Sequence, residues 1–421
     1  MIITESGDIV QRLINKYLNK LQGQGLADKD KAILLALDAD LCSNKPIDDD
    51  VQILSKVFDL MNINTILFSE PAEPYNSIIN EIMRYDYLCR QENRIIPMDC
   101  ETRTFFHDIP VIDELSPNEI AKALSHRKSA IIRNKGIVTY GTVTPEQAFV
   151  SFSSACFSTF VKYFFDSLMY FEECYAEGGV PDETHIRNFD EIVHILPSAI
   201  SRQKLISEPP QNEDDVLKVL SEAGRTAVEC RLVDSYFGNI SYVYENKIYI
   251  SQTGSSLDEL ECCIDAVPMN GSSSVGITAS SELSAHKSIY YETKDNAILH
   301  GHPKFSVIMS MKCDNKDCRH YLPYSSLNKG GIRGGVCHKS CKEKRYVADV
   351  PIVSGEIGTG PTGLMHTVPF AMKEGKGVIV YGHGVFTSGR DSFQRPFDML
   401  MDIENRCREE YFKVTSAFLQ S

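Results

Sequence analysis

One element is written twice in this chain. Residues 127–149, RKSAIIRNKGIVTYGTVTPEQAF, and residues 375–397, GKGVIVYGHGVFTSGRDSFQRPF, align without a gap, so that Gly136 meets Gly384, Gly141 meets Gly389 and Phe149 meets Phe397. A short apolar run precedes each copy, DIPVI from Asp108 and DVPIV from Asp349, and a long helix-patterned stretch follows each. Two copies with the same order of elements imply a duplication rather than a solenoid, which needs several short repeats. The later copy carries His383 where the earlier one carries Lys135.

The surrounding pattern is that of an α/β protein. AILLALDAD, NTILFSEP and RIIPM read as strands, and DDDVQILSKVFDLM and YNSIINEIMRYDYL between them read as helices. Strands separated by helices predict a layered α/β arrangement with parallel pairing. No Gly-rich phosphate loop supports dinucleotide binding. The paired prolines and acids of LISEPPQNEDD mark a boundary near Pro209. The expected organisation is an α/β domain over 1–204, with the degenerate copy at about 108–167, a linker over 205–215 and a second domain over 216–421.

Charge and cysteine usage narrow the function. A net charge of −14 argues against a non-specific nucleic-acid binder, while leaving room for a locally positive site for a small anion. The segment MIITESGDIVQRLINKYLNK does not read as a secretory signal, and no apolar run is expected to reach the length of a membrane span. Thirteen scattered cysteines do not read as a secreted disulfide scaffold. The expectation is a cytoplasmic protein with neither a membrane nor a nucleic-acid partner.

Chemistry gathers in the second half. In AILHGHPKF, His300 and His302 stand two apart in a strand-like run, so both rings project from one face and can reach one ion. The alternative for the pair is ordinary packing. Upstream, TASSELSAHKSIY places Ser280 and Ser281 before Glu282 where a helix begins, as a cap or as an anion site. Glu282 and His286 share a helix face by their spacing. Gly238 and Gly254 sit in turns that permit close backbone approach, with Asn239 and Thr253 as donors beside them, and either turn alone reads equally as a hairpin connection.

Taken in order, GNIS, TG, SSE, HGHP and YGHG resemble the class II aldolase/adducin family over roughly Val216 to Phe412. The resemblance implies a three-layer α/β/α second domain and a divalent metal, zinc by preference, held by His300, His302 and His383. It makes Glu282 the catalytic base and forms a phosphate cradle from Gly238, Asn239, Thr253, Gly254, Ser280 and Ser281. It further implies a homo-oligomeric lyase of carbohydrate metabolism that reversibly cleaves a phosphorylated ketose through a metal-stabilised enediolate, the phosphorylated sugar being its small-molecule partner. Epimerisation at C4 or dehydration on the same site is the alternative, as is a non-catalytic, adducin-like interaction protein. The earlier copy then reads as a degenerate, metal-free relative, either a permanent neighbour to the site or a bare scaffold, with Ser69 and Glu70 as a faint echo of SSE.

An insertion over 311–345 departs from that pattern. It brings Cys313, Cys318, Cys337 and Cys341 together in sequence, with His320 or His338 as substitutes, which suits a second, structural zinc ion, the alternative being a reduced loop. It also leaves open which tyrosine, Tyr321, Tyr324 or Tyr411, serves as the proton-donating acid.

Overall fold

The computed structural model describes residues 3–84, 93–234, 236–272, 274–315, 317–318, 341, 343–357, 359–375 and 377–419. The chain divides into two compact units, one made of Met1–Asp166 with Pro181–Pro197 and the other of Ser167–Val180 with Ser198–Ser421. The chain passes between the units after Asp166, after Val180 and after Pro197. Residues 198–205 belong to the second unit because their backbone is tied to its last helix: the Asn405 amide exchanges two hydrogen bonds with Ile200 and Gln394 accepts from Leu205 N–H.

The first unit runs α1 (Ile3–Gly23), β1 (Ile33–Leu37), β2 (Leu41–Ser43), α2 (Asp49–Ser55), β3 (Thr65–Ser69), α3 (Tyr75–Arg84), β4 (Arg94–Ile95), α4 (Cys100–Phe106), β5 (Ile109–Ile112), α5 (Pro117–Leu124), β6 (Ser129–Ile132), β7 (Gly136–Gly141), α6 (Pro145–Ala176), whose residues from Ser167 belong to the second unit, and α7 (Glu183–His194). The second continues α8 (Glu213–Glu229), β8 (Asn239–Tyr244), β9 (Lys247–Ser251), β10 (Ile264–Pro268), α9 (Leu283–Thr293), β11 (Ala297–Gly301), α10 (Lys304–Met311), β12 (Arg345–Val347), β13 (Val350–Val353), α11 (Leu364–Met372), β14 (Val378–Val380), β15 (Gly384–Gly389) and α12 (Gln394–Leu419). Side chains that cap choose several of these starts: Asp48, Asp99, Asp182 and Asn212 each accept a backbone N–H of the first turn.

The two sheets have matching orders, β2-β1-β3-β7-β6-β5-β4 and β10-β9-β8-β11-β15-β14-β13-β12. Pairing is mostly antiparallel, with β5–β6 and β13–β14 as the parallel pairs, which corrects the expectation of parallel strands. The reason is local. The β1–β2 and β6–β7 hairpins reverse the chain, so that β3 lies antiparallel to both β1 and β7.

Registers make the duplication complete. Phe68 pairs with Val138 as His300 pairs with Phe386, and Ile33 pairs with Phe68 as Asn239 pairs with His300. Lys135 and His383 close the same turn, each donating its N–H to a carbonyl three residues back, after a residue with φ of 57° (Asn134) or 59° (Gly382). Phe68, Ser69 and Glu70 thus stand at the places of His300, Gly301 and His302, and the expected echo of SSE is overturned. Ile33 and Leu35 stand where Asn239 and Ser241 stand in the second unit, and with Phe68 they join the apolar core under α2 and α5. The first unit has filled with hydrocarbon the space that the second unit keeps polar.

In the second unit, Ile298, Phe386, Val378 and Val380 form one face of the sheet, packed under Ala285, Ile289, Val368 and Met372 of α9 and α11. The α/β class expected from the sequence is the one observed, built on two mixed sheets. α6 overturns a different expectation. It is long and apolar enough to cross a membrane by length and composition, yet the most apolar 18-residue window is 94% buried inside the protein.

The first unit also holds a pH-sensitive burial. His185 is 1% exposed on α7, and loss of hydration pulls its pKa from 6.5 down to about 4. The folded state then binds fewer protons than the unfolded chain between these values, so stability present above pH 6.5 is lost as pH falls towards 4. The total is on the order of 3 kcal/mol. Urea midpoints measured from pH 7.5 to 4.5 should fall, and His185→Phe should flatten that slope; an unaltered slope would show that another group carries it.

Candidate active site

Strand β11 ends in His300 and Gly301 with His302 following, and the β14–β15 turn delivers His383 beside them. A ligating nitrogen from each ring lies within 4.8 Å of the other two, and all three rings are buried. Close approach of the two segments depends on Gly384. A Cβ there would stand 2.4 Å from Gly301 O and 2.9 Å from His300 Cε1. Gly238 has φ +120°, and a Cβ on it would meet His300 O at 2.5 Å. Gly384→Ala is expected to push β15 from β11 and to lower stability by about 1–3 kcal/mol, read as a drop in unfolding midpoint.

Glu282, immediately before α9, reaches into the cluster from the other side. Its Oε1 accepts from His383 Nε2 at 3.0 Å, its Oε2 lies 3.4 Å from His300 Nε2, and the same Oε2 accepts from Asn239 Nδ2 at 2.7 Å. Burial alone would raise its pKa, but His300, His383 and the Asn239 amide outweigh burial and hold the carboxyl well below the usual range. Glu282 is therefore a carboxylate at neutral pH.

A buried chain of hydrogen bonds fixes that carboxylate. Asn239 offers its amide N–H to Glu282, so its carbonyl faces His286 Nε2 at 2.5 Å and requires the proton there. His286 Nδ1, left with a lone pair by burial that takes its pKa down to about 3, accepts from Ser241 Oγ at 2.6 Å. Tyr290 Oη lies 2.6 Å from the same Oγ and donates to it. One neutral tautomer of His286 satisfies every member. The role of His286, whose shared face with Glu282 was visible only as a spacing, comes from this chain.

The donor set fits a cation. His300 Nδ1 faces the Val385 carbonyl at 3.0 Å, a group that only accepts, so Nδ1 carries a proton and Nε2 is the nitrogen turned towards the cluster. His300 Nε2 lies 3.4 Å from Glu282 Oε2 and 3.0 Å from His302 Nε2. Burial, with His300 and His383 close by, holds His302 well below 6.5 and neutral, and its Nδ1 has no hydrogen-bond partner among the described residues. Three imidazoles beside a carboxyl group in a dry site suit a divalent cation, which takes the place of the protons those nitrogens otherwise share. Histidines 300, 302 and 383 thus form a group able to hold a divalent metal.

The expected anion-cradle residues are dispersed in exposure. Thr253 and Gly254 are exposed in the turn after β9, Ser281 is exposed beside the start of α9, and Ser280 is buried, its Oγ accepting from Glu282 N–H at 3.3 Å. The turn is pinned to the segment before Glu282 by Thr253 N–H to Thr278 O and Thr253 Oγ to Ala279 O. Asn239, expected in the cradle, instead turns its side chain inward to Glu282 and His286. Tyr411 is fully buried and packs on Phe305 and Phe412, while Tyr321 and Tyr324 lie outside the described residues. Cys313, Cys318 and Cys341 are partly buried and do not join a convergent ligand group among the described residues, and Cys337, His320 and His338 lie outside them.

Residues 218–411 match the family model described as the class II aldolase and adducin N-terminal domain. A search of curated proteins returns no match. Among solved structures, the chain is similar to L-fuculose-1-phosphate aldolase from Thermus thermophilus at 18% identity, covering 47% of this chain and 93% of that one with a TM-score of 0.35. It is also similar to a sugar-phosphate aldolase from Thermotoga maritima at 17% identity, covering 48% and 96% with a TM-score of 0.32. Residues 218–411, which supply the histidines, Glu282 and the chain of hydrogen bonds behind it, belong to the class II aldolase and adducin N-terminal domain family.

Proposed function

We propose that the chain is a metal-dependent lyase that reversibly cleaves a small phosphorylated ketose by an aldol reaction, with zinc as the preferred ion. The observation that carries this reading is the buried Glu282 carboxyl group held within 3.4 Å of two of three convergent imidazoles. A non-catalytic binding module has no use for a carboxylate kept charged and dry, because burying it without function costs stability.

His300, His302 and His383 would hold the ion, which supplies electrostatic stabilisation of negative charge developing on substrate oxygen. Glu282 has the protonation state of a general base, and the Asn239 amide holds its Oε2 so that Oε1 faces His383. Burial of the imidazoles excludes water from the proton's path. The exposed turn at Thr253 and Gly254, with Ser281 opposite the pinned segment, is the side from which a phosphate would be received.

A screen of ketose phosphates for triose-phosphate release, with metal content measured on the same sample, tests the proposal. Release coupled to bound metal is expected. Full metal occupancy with isomerised or dehydrated product and no triose phosphate would reassign the reaction, and a protein that takes up no metal would end the proposal.

A further inference from the structure

The helix after His302 starts under an unusual arrangement. α10 opens at Lys304 directly behind the His300–Gly301–His302 strand end, and its N-cap position is Pro303, whose side chain makes no capping bond. The capping group comes from α12 instead. Glu404 Oε1 accepts from Phe305 N–H at 2.9 Å, and its Oε2 accepts from Ser306 N–H and Ser306 Oγ, both at 2.8 Å. The carboxylate is only 7% exposed, so it is a buried acid placed against two of the four unsatisfied amides of a helix start.

Its location links the site's two halves. α12 is the helix into which β15 leads, and β15 follows His383, while α10 follows His302. The same helix places Leu400 against Gly301, where a Cβ would come within 3.0 Å of Leu400 Cδ2. The duplication supplies an internal control. The gapless alignment that pairs Gly136 with Gly384 pairs Cys156 with Glu404, and Cys156 is a fully buried thiol. The copy without histidines has no carboxylate at this place.

We propose that Glu404 is a positioning residue for the metal site, tying the segment behind His302 to the helix behind His383 so that the three imidazoles converge. This rests on reading His300, His302 and His383 as metal ligands. It adds that their geometry is set by a carboxylate that touches none of them. Groups that orient ligands from outside typically change metal affinity by about 10- to 100-fold when removed.

Cobalt(II) titration of the full chain tests it through the visible ligand-field bands, with no reliance on turnover. Glu404→Gln, which retains one accepting oxygen, should weaken cobalt binding about 10-fold and alter the band envelope. Ser306→Ala, which removes one bond and leaves the carboxylate, should weaken it less, and Glu404→Asp should not restore the wild-type spectrum because the shorter arm cannot reach both amides. Circular dichroism of the metal-free variants reports folding separately, and Ser306→Ala with Glu404→Gln carry the test if a harsher change unfolds the protein. Wild-type affinity and band shape in both would overturn the clamp. If His300→Ala also bound cobalt like the wild type, the metal reading itself would fall, an outcome distinct from loss of the clamp alone.

Discussion

His300→Ala should lose bound metal and activity together. His300 is the central ring of the cluster: it stacks on His383 with centroids 5.1 Å apart, touches His302 through the two Nε2 atoms, and rests on Phe386 with centroids 3.9 Å apart. Its removal leaves two imidazoles, fewer than the three protein ligands typical of catalytic zinc, and opens a void above Phe386. Affinity should fall by more than about 100-fold, because outer-sphere partners alone are worth about 10- to 100-fold. Elemental analysis after dialysis and a turnover assay on the same sample read both effects. A variant that retains full metal and full turnover would show that the rings converge for packing alone.

Glu282→Gln should separate binding from chemistry. The amide is close to isosteric and can still contact His383 and Asn239, so metal content should stay near the wild-type level. Turnover should drop by about 10²- to 10⁴-fold, the usual worth of a positioned acid or base. Asn239→Ala should fall between this variant and the wild type, because it frees Glu282 to rotate and leaves His286 Nε2 without its acceptor. Equal turnover in wild type and Glu282→Gln would remove Glu282 from the reaction and leave it as a buried counter-charge to the imidazoles.

Much of the site was legible in sequence because it is encoded locally. A His-x-His pair on a strand, an acid at a helix start and a glycine beside a third histidine are short-range patterns, and strand alternation alone puts His300 and His302 on one face. The duplication was legible in part, through the segment whose glycines are forced by backbone contact. Gly136 and Gly384 recur because a Cβ at either would strike the neighbouring strand, 2.2 Å from Ser69 O or 2.4 Å from Gly301 O. Elsewhere the copies drifted where side chains alone matter, so Phe68 for His300 and Ile33 for Asn239 left no recognisable motif.

The sequence by itself determined the α/β class, the paired units and the residue types that gather around His300, since each follows from short-range periodicity and from glycines that backbone contact demands. Only the tertiary structure decided strand direction, the inward turn of Asn239, the tautomer of His286 and the reach of Glu404 across to α10. These depend on which atoms far apart in the chain come within hydrogen-bonding distance. A buried donor's choice of partner is settled by what else surrounds it and not by its neighbours in sequence.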